Sequence, residues 1–411
     1  MPTTLPIADP IVPESQDDLA DLIRQAHDTT TPVYPIGGGT ALDFGLPPKQ
    51  PGWGISTAGI NRLIDYPSRD MTITVEAGMT MAELAATLAA ERQRLPIDVP
   101  HADVATLGGV VATNYNGPRR YGSGTVRDYV IGISGVDGRG VAFKGGGRVV
   151  KNVAGYDFCK LLTGSLGTLA VITQLTLKVR PLPESTALLA CGFAHLTEAE
   201  TALASLITSK TTPSAIELLV GPAWDDAGDI PGGEKTVARL VVGLEGTSPE
   251  VRWMLDQLAS EWQALGVTST LRIEGEQAPV VWQELIDFGA TDDTALTVKL
   301  AVRPSRVCEL IGVLQQVDPQ VSIQAHAGSG VLIAKFAALS AADANNAMIK
   351  QIHPAAIAAG GSAIVWSANS PDDLTRLAVW GPVRDETLVM QSVKKQFDPR
   401  GVLNPGRFVY S

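Results

Sequence analysis

The chain has 411 residues, 45% of them hydrophobic and 18% charged, with 41 glycines; that length exceeds what one core usually serves, so two domains are expected. Its 43 acidic against 32 basic residues leave a net charge of -11, which argues against a nucleic-acid binder and against direct docking on an anionic membrane. Three scattered cysteines, Cys159, Cys191 and Cys308, form no CxxC pair and offer neither a disulfide framework nor an iron–sulfur or zinc site.

The first residues lack a basic stretch followed by an apolar run, so they are not read as a secretory signal, and no run of about 18 uncharged apolar residues offers a membrane span. The expected location is cytoplasmic, with any association with the inner membrane peripheral and through partners. Ser15 with Asp18 predicts a helix start, followed by Leu19, Leu22, Ile23 and Ala26 at helical spacing. Val33–Ile36 predicts a short buried strand that runs into Gly37-Gly38-Gly39-Thr40. Met71, Ile73 and Val75 alternate with polar residues, giving a strand that turns at Gly78. Thr80 and Glu83 read as a capping box that opens an amphipathic helix over 81–95. Residues 129–143 read as a hairpin turning at Asp137-Gly138, and 168–179 as another β-branched strand. That strand ends at Pro181-Leu182-Pro183, where a domain boundary is expected.

Beyond the boundary the order strand, helix, strand, strand, helix occurs twice, first over 186–265 and then over 295–352. Two such units predict an antiparallel sheet with helices on one face. The tail QFDPRGVLNPGRFVY mixes Pro and Gly with Phe397, Val402, Leu403, Phe408 and Tyr410, so it should be tied to a folded surface.

The chemistry-bearing segments are three glycine-rich stretches. A dinucleotide's pyrophosphate carries two negative charges, and main-chain N–H groups of a glycine turn can approach it where a Cβ would clash. Pro35-Ile36-Gly37-Gly38-Gly39-Thr40 is such a turn and holds no Lys or Arg. It is not a Rossmann fingerprint, because Leu42 stands where the third glycine would fall, and no GxxxxGK[ST] loop occurs in the chain. By itself the turn reads first as a structural one. The second stretch is Thr106-Leu107-Gly108-Gly109 with Thr113-Asn114, followed by Gly117 and Gly122; small residues there allow either a ligand or a close helix–sheet contact. The third, Gly164-Ser165-Leu166-Gly167-Thr168, precedes Val171, Ile172 and Thr173.

In this order the segments PIGGGT, TVEAGMT, ATLGGVVATNYNGPRRYGSGTVRD and KNVAGYDFCKLLTGSLGTLAVITQLTLKV resemble the FAD-binding domain of the vanillyl-alcohol-oxidase (PCMH-type) flavoproteins, over roughly residues 10–180. KNVAGYD with GSLGT, and the ending FDPRGVLNPGRF, are most similar to glycolate oxidase and related 2-hydroxyacid dehydrogenases. The resemblance implies an α+β fold: a PCMH-type FAD-binding domain of two α/β subdomains over 1–182, then a ferredoxin-like α+β domain with an antiparallel sheet over 183–394. A tail over 395–411 would return to the FAD domain. It further implies that Pro35, Ile36, Gly37, Gly38, Gly39 and Thr40 cradle the pyrophosphate. Thr106, Leu107, Gly108, Gly109, Thr113 and Asn114 would line the flavin and its ribityl arm, with Gly117, Gly122 and Gly167 giving close approach. Val171, Ile172 and Thr173 would serve the adenine side, and Asn404 with Pro405 would close the site. Covalent members attach the flavin through a His in or beside the first loop. That loop has none, and only His27 and His101 precede residue 190, so the FAD is expected to be non-covalent.

Oxidation of a 2-hydroxyacid needs an acceptor for the hydroxyl proton and a cationic grip on the carboxylate. Similar catalytic proteins use a metal-binding HxGxGxxH pattern and a later Glu-His pair. Here His326-Ala327-Gly328-Ser329-Gly330 is followed by Ile333 in place of the second His, and no Glu-His pair follows. One imidazole makes no divalent metal site, so no metal is expected. Arg119, Arg120, Lys151, Arg303 and Arg407 are the cationic candidates, and no catalytic residue is singled out.

Cofactor loops without the histidine apparatus resemble the E-subunit family of glycolate oxidase. That resemblance implies a complex with a sister catalytic FAD subunit and an iron–sulfur subunit, oxidising glycolate to glyoxylate; 411 residues are long for such a subunit, with the excess in the second lobe. Two alternatives stay open. One is a self-sufficient D-2-hydroxyacid dehydrogenase with His326 as base, the other a non-catalytic subunit whose flavin is structural.

Overall fold

The computed structural model describes residues 5–147, 156–225, 230, 236–267, 269–290 and 294–409. Lys151 and most of KNVAGYD fall outside them. The chain divides into two compact units: one of 1–116, 125–182 and 382–411, the other of 117–124 and 183–381. Two segments therefore differ from the expected ranges. Residues 117–124 go with the second unit, although they lie within the first by sequence, and the helix Glu386–Phe397 goes with the first.

In the first unit the helix Gln16–Thr29 starts where Ser15 accepts a hydrogen bond from the Asp18 N–H, and it buries Leu19, Ile23 and Ala26. These residues share a core with Val33, Ile55, Val136, Val171, Val402 and Leu403, so helix, strands and tail condense together. Val33–Ile36 pairs in parallel with Trp53–Ser56. A second, five-stranded sheet has the order Leu63–Asp65, Thr72–Glu76, Ala170–Lys178, Val130–Asp137, Ala142–Gly146, and its pairings are antiparallel. The expected hairpin is there, but Tyr129 belongs to a helical turn, Val126–Tyr129, ahead of it.

The helix opened by the Thr80/Glu83 capping box runs only from Met81 to Ala89, not to 95. Gln93 and Arg94 instead pair with Pro181 and Arg180, and Arg92 takes a left-handed φ of 53°. Proline at 96 already disfavours helix at Leu95, and the bridge to the Pro181 strand decides the end. The tail is held as its composition requires. Val33 N–H donates to Val402 O and Asn404 N–H to Val33 O, both at 2.8 Å, while Lys394 Nζ donates to Thr168 O and Leu403 O.

The second unit is one antiparallel sheet of eight strands. Its first half is built from Ser185–Phe193, Ala215–Val220, Ala238–Gly246 and Leu271–Ile273, its second from Leu296–Ala301, Ser322–His326, Val331–Phe336 and Ser362–Ala368. Numbered within each half, the sheet reads 4-1-3-2 then 2-3-1-4, so two ferredoxin-like repeats join edge to edge through their second strands. The short strand Leu271–Ile273, unforeseen from the sequence, completes the first repeat.

Candidate functional site

The three glycine segments of the first unit converge on one another. A Cβ on Gly37 would lie 2.2 Å from Thr106 Oγ1, and one on Gly38 1.7 Å from the Val104 carbonyl, so the first loop is pressed onto the second. Thr106 caps the helix Leu107–Thr113 by accepting from Gly109 N–H, and Gly108 packs its main chain against Ala77. The third segment docks on that helix: Gly164 N–H donates to Val111 O and Leu166 N–H to Ala112 O. Gly167 lies against Pro35, and Asn404 Nδ2 donates to Leu166 O at 2.6 Å. Thus Pro35 to Thr40, Thr106 to Asn114, Gly167 and Asn404 are brought together.

The first loop also suits the group expected there. Among the described residues, the N–H groups of Gly37, Gly38 and Gly39 donate to no protein acceptor, and Gly39, exposed, has a φ of 78° that glycine alone adopts freely. Consecutive free amides in such a turn form an anion-binding concavity. Arg407 of the tail adds a buried guanidinium that donates to the Leu42 and Phe44 carbonyls and leaves Nε and Nη1 without a partner. Burial pushes its pKa down to about 10 against the opposing pull of Asp43 and Tyr34.

Other expected site residues are used differently. Val171 is committed to the core cluster, and Thr173 Oγ1 donates to Gln16 Oε1 at 2.6 Å while its carbonyl accepts from Ala77. Ile172 is also buried. Gly117 and Gly122 travel with the second unit, and Gly122 is small because its main chain meets that of Ser214, to which its N–H donates. That contact is protein on protein, so it explains the glycine without a ligand.

A second constellation, which sequence reasoning did not assemble, lies on one face of the eight-stranded sheet. Strand alternation sends Leu218, Val220, Ile323, Ala325, Leu332, Ala334, Val298 and Leu300 to one face, all buried. The register sends Glu217, Gln324, His326, Ile333, Thr297 and Lys299 to the other. Glu217 and His326 are Cα partners across the join between the repeats, and His326 Nδ1 lies 2.8 Å from the Glu217 carboxylate. Gln324 Nε2 donates to the same carboxylate and to Leu285 O, both at 2.9 Å. All three side chains are buried, yet among the described residues His326 Nε2, Gln324 Oε1 and Thr297 Oγ1 have no hydrogen-bond partner. An imidazole whose Nδ1–H donates to a carboxylate presents a lone pair on Nε2, which is the arrangement of a proton acceptor.

The 117–124 segment lies on the same face. Arg119 Nε donates to Glu245 Oε1 at 2.8 Å, and its guanidinium sits 3.9 Å from the Trp282 ring centre. Tyr121 fills the space where Gly328 lacks a side chain. Arg120, between them, has its pKa lowered by burial and partly restored by Glu217. Lys299 is pushed down to about 8, chiefly by burial and then by the charge of Arg120, with its ammonium over the Trp366 ring. The three cysteines are buried, and burial raises their thiols to about 11, 12 and 11, as expected of inert core residues.

Two family models match the chain, with 117–124 inside the first match and 384–408 inside the second, unlike the division into compact units. Residues 10–146 match the family described as FAD binding domain, and 182–364 with 384–408 match FAD linked oxidases, C-terminal domain. Glycolate oxidase subunit GlcD of Bacillus subtilis is 23% identical over 97% of this chain and 88% of its own. A D-lactate dehydrogenase of Archaeoglobus fulgidus is 26% identical over 97% of this chain and 90% of its own. Glycolate oxidase subunit GlcE of Escherichia coli is 36% identical over 168 residues, 41% of this chain and 47% of its own. Among solved structures, p-cresol methylhydroxylase with substrate bound has a TM-score of 0.72 at 15% identity, covering 98% of this chain and 90% of that one. An alkyldihydroxyacetonephosphate synthase has a TM-score of 0.70 at 18% identity, covering 98% and 77%. The fold is that of the PCMH-type flavoproteins, and FAD is the cofactor.

Proposed function

Because the chain belongs to the FAD-linked oxidases, we propose that it oxidises a small 2-hydroxyacid of the glycolate or D-lactate type with a non-covalently held FAD. The observation that carries this reading is the Glu217-braced His326, whose Nε2 is buried and without a partner, on a face that also bears Arg120 and Lys299. FAD, when bound, supplies the two-electron acceptor. The chain's own residues handle the remainder: His326 takes the hydroxyl proton at Nε2, Glu217 holds the imidazole in the required tautomer, and Gln324 fixes Glu217. The first loop's free amides and Arg407 supply positive potential for a diphosphate. Electrons then pass to a separate iron–sulfur partner, a role for which this chain's three inert cysteines are unsuited.

A second reading rests on the 36% identity to GlcE in 168 residues: the chain holds its flavin inside a glycolate oxidase complex and leaves oxidation to a sister FAD subunit. One experiment separates the two. The purified yellow chain, with flavin released by acid, is mixed anaerobically with glycolate or D-lactate. Stoichiometric bleaching near 450 nm is expected; bleaching that appears only after a GlcD-like sister subunit is added would establish the second reading instead.

A further inference from the structure

The polar face of the second unit lacks the donor set that a divalent ion needs. His326 Nδ1 is engaged by Glu217, and the residue three strands' register places between Gln324 and Lys299 is Ile333, which has no donor atom. Among the described residues no group of three or more His, Cys, Asp or Glu could hold a metal ion. A lysine ammonium beside the position would repel a cation as well.

We infer that Arg120 and Lys299 form a two-pronged carboxylate subsite that does the electrostatic work of a metal on this face. This rests on the 2-hydroxyacid reading above and names the groups that grip the acid. The geometry supports it in three ways. Arg120 is held in place because both neighbours are anchored, Arg119 on Glu245 and Trp282, and Tyr121 at Gly328, with Gly122 tied to Ser214. Lys299 stands on the same sheet face as His326 and Gln324, and neither it nor Arg120 has a salt bridge among the described residues. Two cations within each other's field are unfavourable until an anion joins them, which a substrate carboxylate does. Finally, the unpartnered Thr297 Oγ1, Gln324 Oε1 and His326 Nε2 ring the same face with groups for a hydroxyl.

The test is calorimetric titration of the FAD-loaded chain with oxalate after exhaustive dialysis against EDTA. Oxalate is expected to bind with an affinity that chelation leaves unchanged. Lys299→Met and Arg120→Met are each expected to weaken it by about tenfold or more, whereas Lys299→Arg should stay within a few-fold of the parent. Flavin content and melting temperature establish that each variant is folded, and Arg120→Met, in the inserted segment rather than in a sheet strand, covers the case in which Lys299→Met is not. Loss of binding on chelation with recovery on adding Zn2+ or Mn2+ would overturn the inference, as would parental oxalate affinity in both folded Met variants. If no 2-hydroxyacid bleaches the flavin but oxalate binding behaves as expected, the subsite stands and the oxidase reading falls.

Discussion

The two units solve the problem of holding a ligand in opposite ways. In the first, the candidate cofactor site is made of main chain: three glycine segments are pressed together, and the groups left over are the amides of Gly37, Gly38 and Gly39. In the second, the candidate substrate site is made of side chains that come from three strands and one inserted segment, spread widely along the sequence. A main-chain site depends on what is absent, a Cβ, so few residues other than glycine satisfy it. A side-chain site depends on register, so a neighbouring strand can supply the same group from several positions.

The sharpest way to break this contrast is to add a Cβ branch to the first loop. Gly38→Val forces methyl groups into the Val104 carbonyl, from which even a Cβ would lie 1.7 Å. The variant should purify colourless or with FAD affinity reduced by at least ~100-fold, and lose roughly 3 kcal/mol of stability; flavin absorbance and urea melts measure both. The equivalent blow to the second unit leaves colour untouched. His326→Ala should retain parental FAD while losing about 10²–10⁴-fold in flavin reduction by the acid. Glu217→Gln should fall in the same direction, with oxalate affinity near the parental value, since it removes the brace and not the carboxylate grip. Loss of FAD in either variant would dissolve the division of labour between the units.

A smaller effect is expected at the inserted segment. Arg119→Ala removes the ion pair to Glu245, which is 6% exposed, and the stack on Trp282; the expected cost is about 3 kcal/mol, read as a lower melting temperature and weaker oxalate binding together. The smallest is a pH effect at Lys299. Its folded pKa lies near 8 against an ordinary 10.5, so between those values the folded chain binds fewer protons than the unfolded one. Stability from this group therefore rises as pH climbs from about 8 to 10.5, the cost of burying the ammonium being felt in full below 8. Carboxylate binding moves the other way and weakens as pH passes 8. Both trends should vanish in Lys299→Met, measured as the difference in melting temperature and in oxalate affinity from the parent.

Helix starts at Ser15 and Thr80, all strands of the two repeats but Leu271–Ile273, and the ordered glycine segments could be read from the sequence, because each is set by neighbours within a few residues. The three glycine stretches were readable as tight turns for the same reason, since a glycine announces its own backbone demand, but only their order, through a family resemblance, marked them as candidate FAD-binding loops. The helix after Thr80 overran its true end because the bridge to Arg180 and Pro181, distant in sequence, terminates it. Likewise, Arg120 was one cation among several until 117–124 proved to belong to the second unit. Glu217 drew no notice at all, since a lone acidic residue in an apolar strand carries no local signal. The sequence by itself thus pointed to FAD, through the family resemblance that the ordered glycine segments carry. Only the tertiary structure brought together the polar side chains of the second unit's sheet, because cross-strand register sets which side chains share a face, and register is fixed by partners far away along the chain.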